Sequence, residues 1–191
     1  MLDKAQANMT EAENQRYQTI TEAVSRLHSA ASRVYQLLTN NRGELSLSIS
    51  NSRILAFREG ILLSIRPPSE SSAWTDYSRL SGGQQSLASL ALILGFHVAY
   101  PSPLLLMDEI EGALDASYAQ RVSNFLLSGL SLLQANPSLP KPQIIIVSLR
   151  RSMYAMSPFV VGCFQHRGCT HTISVAFHEA EHTTVADGEV H

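Results

Sequence analysis

Leu80-Ser81-Gly82-Gly83-Gln84-Gln85 opens a segment that runs on to Leu104-Leu105-Leu106-Met107-Asp108-Glu109, and these two stretches decide the fold. The first sets two glycines and a serine directly before an apolar run that reads as a helix from about Gln84 to Ala99. The first N–H groups of a helix have no internal partner, and the helix dipole is positive there. Glycine lets an anion approach the backbone without meeting a Cβ, and Ser81 adds a hydroxyl donor. The loop is therefore a phosphate-facing surface in chemical terms. Ser-Gly-Gly before a helix also serves as an ordinary turn and cap, and the glutamines can hydrogen-bond without neutralising charge.

The second stretch is a continuous apolar run, as expected of a strand covered on both faces. It ends in paired carboxylates at the C-terminal edge, where ligands gather in open α/β sheets. An Asp at that edge can hold Mg²⁺ through water, because Mg²⁺ is a hard ion that keeps much of its hydration. The adjacent Glu can orient or deprotonate a water. The plainer alternative is that both acids cap the next loop, a role Glu111 and Asp115 can share. Asp115 also reads as the N-cap of the following helix.

Working outward, Tyr17, Ile20, Val24, Leu27, Ala31, Val34 and Leu38 recur at alternating steps of three and four. That spacing fits either the end of a coiled coil or one amphipathic helix packed on a domain, and slightly favours the latter. Residues 1–16 are polar and carry no strong period. Asn40-Asn41-Arg42-Gly43 ends the helix with residues that tolerate left-handed backbone. Leu45, Leu47 and Ile49 alternate with serines as a half-buried strand, and Ile61, Leu63 and Ile65 do likewise. Asn51 to Gly60 reads as a turn or irregular connection. Ala116 to about Leu133 is helical in pattern, and Ala135 to Pro142 is a Pro-rich loop. Gln143 to Ser148 is a second buried strand, followed by a short helix at Arg151 to Met156. Phe159–Phe164 and Thr172–Phe177 form a last pair turned at Arg167-Gly168. Apolar strands alternating with helices imply an α/β sheet with parallel centre strands. The expected organisation is a helical lead-in over 1–40, a globular unit over 41–177 and a disordered tail over 178–191.

Composition sets bounds. The 191 residues suit one domain with an extension, and 45% apolar content supports a real core. A net charge of −2 exerts no whole-chain pull toward nucleic acid or anionic membrane. The longest apolar stretch, Leu87 to Tyr100, is too short to span a bilayer, and no signal-peptide layout is present. Two cysteines make no disulfide framework, which suits a reducing compartment.

Taken together, Leu80 to Gln85, Leu104 to Glu109 and Ala113 to Asp115 resemble the ABC-ATPase superfamily. More narrowly they resemble the C-terminal head lobe of SMC (structural maintenance of chromosomes) proteins. Leu80 to Leu94, Pro101-Ser102-Pro103, Asp108 to Asp115 and Ile144 to Leu149 all carry that likeness. Gln84, Ser86-Leu87, Trp74 and Ser117 to Gln120 look closest to a condensin SMC subunit, with cohesin second. The resemblance covers about Tyr17 to Phe177. It implies the C-terminal half of an ABC-type head, with a parallel-centred sheet, a signature-helix lobe and a coiled-coil stub over 1–40.

By that resemblance Ser81, Gly82, Gly83 and Gln84 contact the nucleotide of an opposite head, with Ser81 and Gly83 at the γ-phosphate. Asp108 supports Mg²⁺, Glu109 activates water, and Asp115 belongs to the loop that communicates across the dimer. Ser148 occupies the switch position, where transporters carry histidine. The implied cofactors are ATP and Mg²⁺. The implied partners are an N-terminal head lobe, a second SMC head, a kleisin-type subunit and DNA through the assembled complex, with no membrane. The implied setting is the nucleus and chromosome, or the nucleoid of a prokaryote.

The chain departs from the pattern in one decisive respect. It contains no Gly-Lys, so it lacks a phosphate loop of the form G-x-x-x-x-G-K-[ST]. Alone it is expected neither to bind ATP tightly nor to hydrolyse it, and activity is expected to need a phosphate-loop lobe. Two further readings stay open: a non-catalytic half-head that binds partners, and another ABC enzyme such as a coiled-coil DNA-repair ATPase.

Weaker signals are Cys163, His166, Cys169 and His171, which permit a zinc knuckle. A hairpin at Arg167-Gly168 should instead scatter them, leaving buried cysteines and exposed histidines. His97 reads as a packed or edge histidine. Arg150-Arg151 reads as a solvated charge pair. Trp74 is expected to be buried.

Overall fold

A computed structural model describes residues 2–68, 73–129, 142–155 and 157–177. Helix α1 (Leu2–Leu38) leads into β1 (Glu44–Ile49), α2 (Arg53–Glu59) and β2 (Ile61–Arg66). A two-residue β3 (Thr75–Asp76) and one 3₁₀ turn (Tyr77–Arg79) precede α3 (Gly82–Ala99). Then come β4 (Leu104–Asp108), α4 (Ala116–Asn124), a π turn (Phe125–Gly129), β5 (Gln143–Val147) and α5 (Arg151–Tyr154). A hairpin of β6 (Phe159–His166) and β7 (Cys169–Ala176) follows.

The heptad positions of α1 face the protein's own core. Val24, Ala31, Val34 and Leu38 are buried, and α1 packs against α3 and β1. The helix also extends back through residues 2–16, whose side chains from residue 3 to 13 are exposed. Ala, Glu, Gln and Lys dominate there, and good helix formers continue a helix already nucleated by the packed half. At the other end Asn40 and Asn41 take positive φ, as expected. Thr39 Oγ1 donates to Tyr35 O and accepts from Gly43 N, which fixes the turn into β1.

The contact of α1 with α3 is very close. A Cβ on Gly95 would stand 2.4 Å from Ala31 Cα, so this crossing tolerates only glycine without movement. Around it Leu87, Ala88, Leu90, Ala91 and Leu94 join Val24, Val34, Tyr35, Leu38, Leu45 and Ile65 in one core. β1 and β2 pair antiparallel with Leu45 opposite Ile65 and Leu47 opposite Leu63, which turns the apolar alternation toward α1 and α3.

Several expectations are corrected. Residues 53–59 form α2 rather than an irregular connection. Ala56 is buried against the body, its N–H bonds Ser52 O, and Gly60 at φ 74° stops the helix. The Arg16 guanidinium lies 4.2 Å from the Phe57 ring centroid and ties α2 to α1. α4 passes without a break into the π turn, so the helical reading holds through Gly129. The readings for residues 130–141 and for the tail over 178–191 lie outside the described residues.

The largest correction concerns the sheets. β4 and β5 pair in parallel, with Leu104 opposite Gln143 and Asp108 opposite Val147. They are not covered on both faces, because Leu106 is 66% and Val147 57% exposed, with Leu104 and Ile145 also open. Met107 alone among the four apolar residues of β4 is fully buried. β6 and β7 form a separate two-stranded sheet, exposed along most of both strands. No third strand or helix covers these surfaces among the described residues.

Candidate functional site

α3 begins at Gly82, two residues ahead of the expected start. Ser81 is the N-cap in extended conformation, and its Oγ accepts from Gln84 N at 3.4 Å. Gln84 Oε1 accepts in return from Ser81 N at 3.0 Å, completing a capping box. Gln84 thereby shapes the loop instead of projecting from it. The Ser81 hydroxyl accepts in this arrangement and keeps its proton for another acceptor. Gln85 Nε2 donates to Tyr77 O, and the Tyr77 hydroxyl pairs with Ser89, so the preceding 3₁₀ turn is fastened to the helix.

Ser81 and Gly82 are exposed. A Cβ on Gly82 would meet nothing within 4 Å, so the approach to the helix N-terminus is open. Such a terminus suits an anion such as a phosphate.

The carboxylates stand at the end of β4. Asp108 is the last strand residue, and Glu109 follows with φ 45° and its N–H on Val147 O. Left-handed backbone is uncommon for a residue with a Cβ and costs about 1–2 kcal/mol. Here the parallel partner β5 and the bond from Gly112 N to Glu109 O hold it. Both Asp108 and Glu109 are exposed. Hard oxygen donors at an open strand edge fit a hydrated Mg²⁺.

Asp115 N-caps α4, accepting from Tyr118 N at 2.8 Å. The signature turn and this loop lie side by side, since a Cβ on Gly83 would come 3.2 Å from Ala113 O. Tertiary structure thus brings Ser81–Gln84 next to Ala113–Asp115, and Asp108-Glu109 beside the end of β5, which Ser148 follows.

One residue of this region has a part that sequence reasoning missed. Glu111 is 2% exposed, and it accepts a hydrogen bond from the Ser148 hydroxyl. Its place among surface-seeking acids of a loop concealed this. The only available signal was its position one residue short of the Gly112–Leu114 turn.

Other sequence readings sort as follows. His97 is buried, and burial pushes its imidazole below the usual range. Trp74 is 49% exposed, against expectation; it precedes a β3 of only two residues, at the edge of the described sheet. Arg167 and Gly168 both take positive φ, the geometry of a two-residue hairpin turn. The register puts His166, Cys169 and His171 on one face and Cys163 on the other, so the four are less scattered than expected. Both cysteines are exposed, not buried. Among the described residues no group of three or more such side chains is arranged to hold a metal ion. No helix among them is long and apolar enough to cross a membrane.

The family model described as RecF/RecN/SMC N terminal domain matches residues 3–172. Structural maintenance of chromosomes protein 4 of Schizosaccharomyces pombe is 30% identical over 167 residues, 87% of this chain and 12% of the relative. The human protein of that name is 35% identical over 141 residues, 74% of this chain and 10% of the relative. Chromosome condensation protein dpy-27 of Caenorhabditis elegans is 32% identical over 178 residues, 91% of this chain and 11% of the relative. The chain thus spans about a tenth of the length of these relatives.

Among solved structures, the Smc head domain with an extended coiled coil bound to the C-terminal domain of ScpA, from Pyrococcus furiosus, superposes with a TM-score of 0.74 at 20% identity. That match covers 91% of this chain and 40% of the other. A structure from work on ATP-driven dimerization and DNA-stimulated activation of SMC ATPases gives a TM-score of 0.69 at 21% identity, covering 83% and 89%. With the family model matched over most of its length and this head fold, the chain belongs to the RecF/RecN/SMC family and carries the ABC-ATPase-like architecture of SMC heads.

Proposed function

We propose that this chain is the C-terminal lobe of an SMC-type ATPase head of the condensin kind, working in chromosome organisation. A phosphate-loop lobe, from the same or another polypeptide, completes it. The observation that carries this reading is the uncovered apolar face of β4 and β5, with Leu104, Leu106, Ile145 and Val147 open on the very strands that end at Asp108-Glu109 and Ser148. A parallel pair is normally covered on both faces. A completing lobe would cover this one and bring a bound nucleotide to the strand edge. Residues 1–40 would be the last returning segment of a coiled coil, entering the head, and 41–177 the lobe proper.

In this reading each residue has a task its environment suits. The free proton of the Ser81 hydroxyl and the N-terminal amides of α3, with Gly82, Gly83 and Gln84 shaping the loop, bind phosphate oxygens of a nucleotide held by the opposite head. Asp108 would hold Mg²⁺, which would neutralise charge on the phosphates. Glu109 orients the attacking water and takes its proton, as a general base at a positioned carboxylate can. Asp115 fixes the loop beside the signature turn, and Ser148 lies at the switch position. A kleisin-type subunit, a second SMC head and DNA would be partners of the assembled complex on the chromosome, in the nucleus or a nucleoid.

The test is co-expression with an SMC phosphate-loop lobe followed by ATPase assay of wild type and Glu109→Gln. Turnover in the pair that drops at least about a hundredfold in the variant supports the reading. Unchanged turnover removes Glu109 as the base. A stable pair that neither binds nor turns over ATP makes this a non-catalytic half-head.

A further inference from the structure

We infer that Glu111 is a positioning residue that latches the Asp108–Asp115 turn to the Ser148–Arg150 turn, with the Ser148 hydroxyl as its bolt. The consequence for turnover rests on the nucleotide reading above; the latch itself does not.

The bonds form a closed circuit. The Ser148 hydroxyl donates to Glu111 Oε1, and Ser148 Oγ accepts from Arg150 N at 3.0 Å. Arg150 Nη2 reaches back to Gly112 O at 3.4 Å. Glu111 O accepts from Leu114 N, Glu109 O accepts from Gly112 N, and Glu109 N donates to Val147 O. Every residue from Glu109 to Gly112 is thus adjacent to a bond of this circuit, although the two turns are remote in sequence.

The chemistry of the hydroxyl sharpens the point. A serine has one proton to donate. With Glu111 accepting it, Ser148 cannot donate to a phosphate oxygen at the same time. In this arrangement the switch-position serine fixes the base-bearing turn instead of reading the nucleotide. Arg150, which looks like part of a solvated charge pair in sequence, is the third member.

Glu111 is also an unusual place for an ordinary surface acid. It is almost wholly buried, and its Oε2 has no hydrogen-bond partner among the described residues. A buried carboxylate oxygen without a partner is costly, so the side chain is not accounted for as loop decoration. Its remaining bond to Ser148 is what offsets that cost.

The experiment has two arms. In the first, amide hydrogen exchange is measured on the full chain as wild type, Ser148→Ala and Ser148→Thr. Loss of a hydrogen bond to a charged group predicts about tenfold faster exchange at Gly112 and Leu114 in Ser148→Ala. Ser148→Thr, which keeps the hydroxyl, should restore protection. Faster exchange confined to residues 147–150 overturns the latch. In the second arm, the head assembled with a phosphate-loop lobe carries Ser148→Ala, Glu111→Leu or both. The expected result is a tenfold lower kcat with KM for ATP unchanged in each single variant, and no further loss in the double. Losses that multiply overturn the latch. Should wild type show no turnover that Glu109→Gln abolishes, the nucleotide reading fails, and the exchange arm still decides the latch.

Discussion

Gly95→Ala should destabilise this chain sharply, although alanine is the better helix former. Replacing glycine by alanine inside a helix ordinarily gains about 1 kcal/mol. Here the new Cβ would lie 2.4 Å from Ala31 Cα and 2.7 Å from both Ala31 N and Cβ. Ordinary contact begins near 3.4 Å, so α1 and α3 must part by roughly 1 Å. The atom in the way is backbone, and no rotamer change relieves it. A gap of 0.5–1 Å forfeits a quarter to a half of the dispersion energy of the contacts it opens, and a buried leucine makes about 40–60 such contacts of about 0.1–0.2 kcal/mol each. One side chain of the size of Leu94 or Leu87 then loses about 2 kcal/mol, and several residues line this crossing.

After partial relaxation and the helix gain, a net loss of about 3 kcal/mol is expected. For a chain of this length that lowers Tm by about 6–12 °C. The assay is urea and thermal unfolding followed by circular dichroism, with Gly82→Ala as the matched control. Gly82 lies in the same helix, where an added Cβ meets nothing within 4 Å, so the control should stay close to wild type. A Gly95→Ala chain as stable as wild type would refute the close crossing of α1 and α3.

Two further outcomes follow from single polar side chains, one buried and one exposed. The Tyr35 hydroxyl is buried and has no hydrogen-bond partner among the described residues, so Tyr35→Phe should raise stability by about 1 kcal/mol at neutral pH, read from the urea midpoint. Burial, with Tyr118 as the lesser cause, pushes the Tyr35 phenol up to about 12. The folded state therefore holds that proton more tightly than the unfolded chain. Below pH 10 both states keep the proton and stability is unaffected; as pH rises from 10 through 12 the unfolded chain ionises first and stability falls, and Tyr35→Phe should flatten that decline. Asp115→Ala removes the bond to Tyr118 N and should cost about 1 kcal/mol, while Asp115→Asn should largely keep it; equal stability of all three in thermal unfolding would dismiss the cap.

Much of the fold is legible in the residues because it rests on local rules. The period of three and four fixes α1, alternation fixes β1 and β2, and Asn40-Asn41 and Arg167-Gly168 mark the turns. Ser81 and Asp115 announce two helix starts, and both cap as read. What misled was context. An apolar run such as Leu104 to Met107 says that a strand is suited to burial, not that the described elements cover both faces. The cysteines of β6 and β7 fail for the same reason, since the hairpin packs on little else among the described residues.

The sequence by itself determined the chemistry on offer: a serine-glycine helix start, paired carboxylates at a strand end, a serine after the next strand, and no Gly-Lys. Such features are carried by residue type and short spacing, so they survive without coordinates. Only the tertiary structure decided how those groups depend on one another. It set Gly83 against Ala113, left the β4–β5 face bare, and buried Glu111 against Ser148, because each of these joins segments whose separation along the chain no local rule spans.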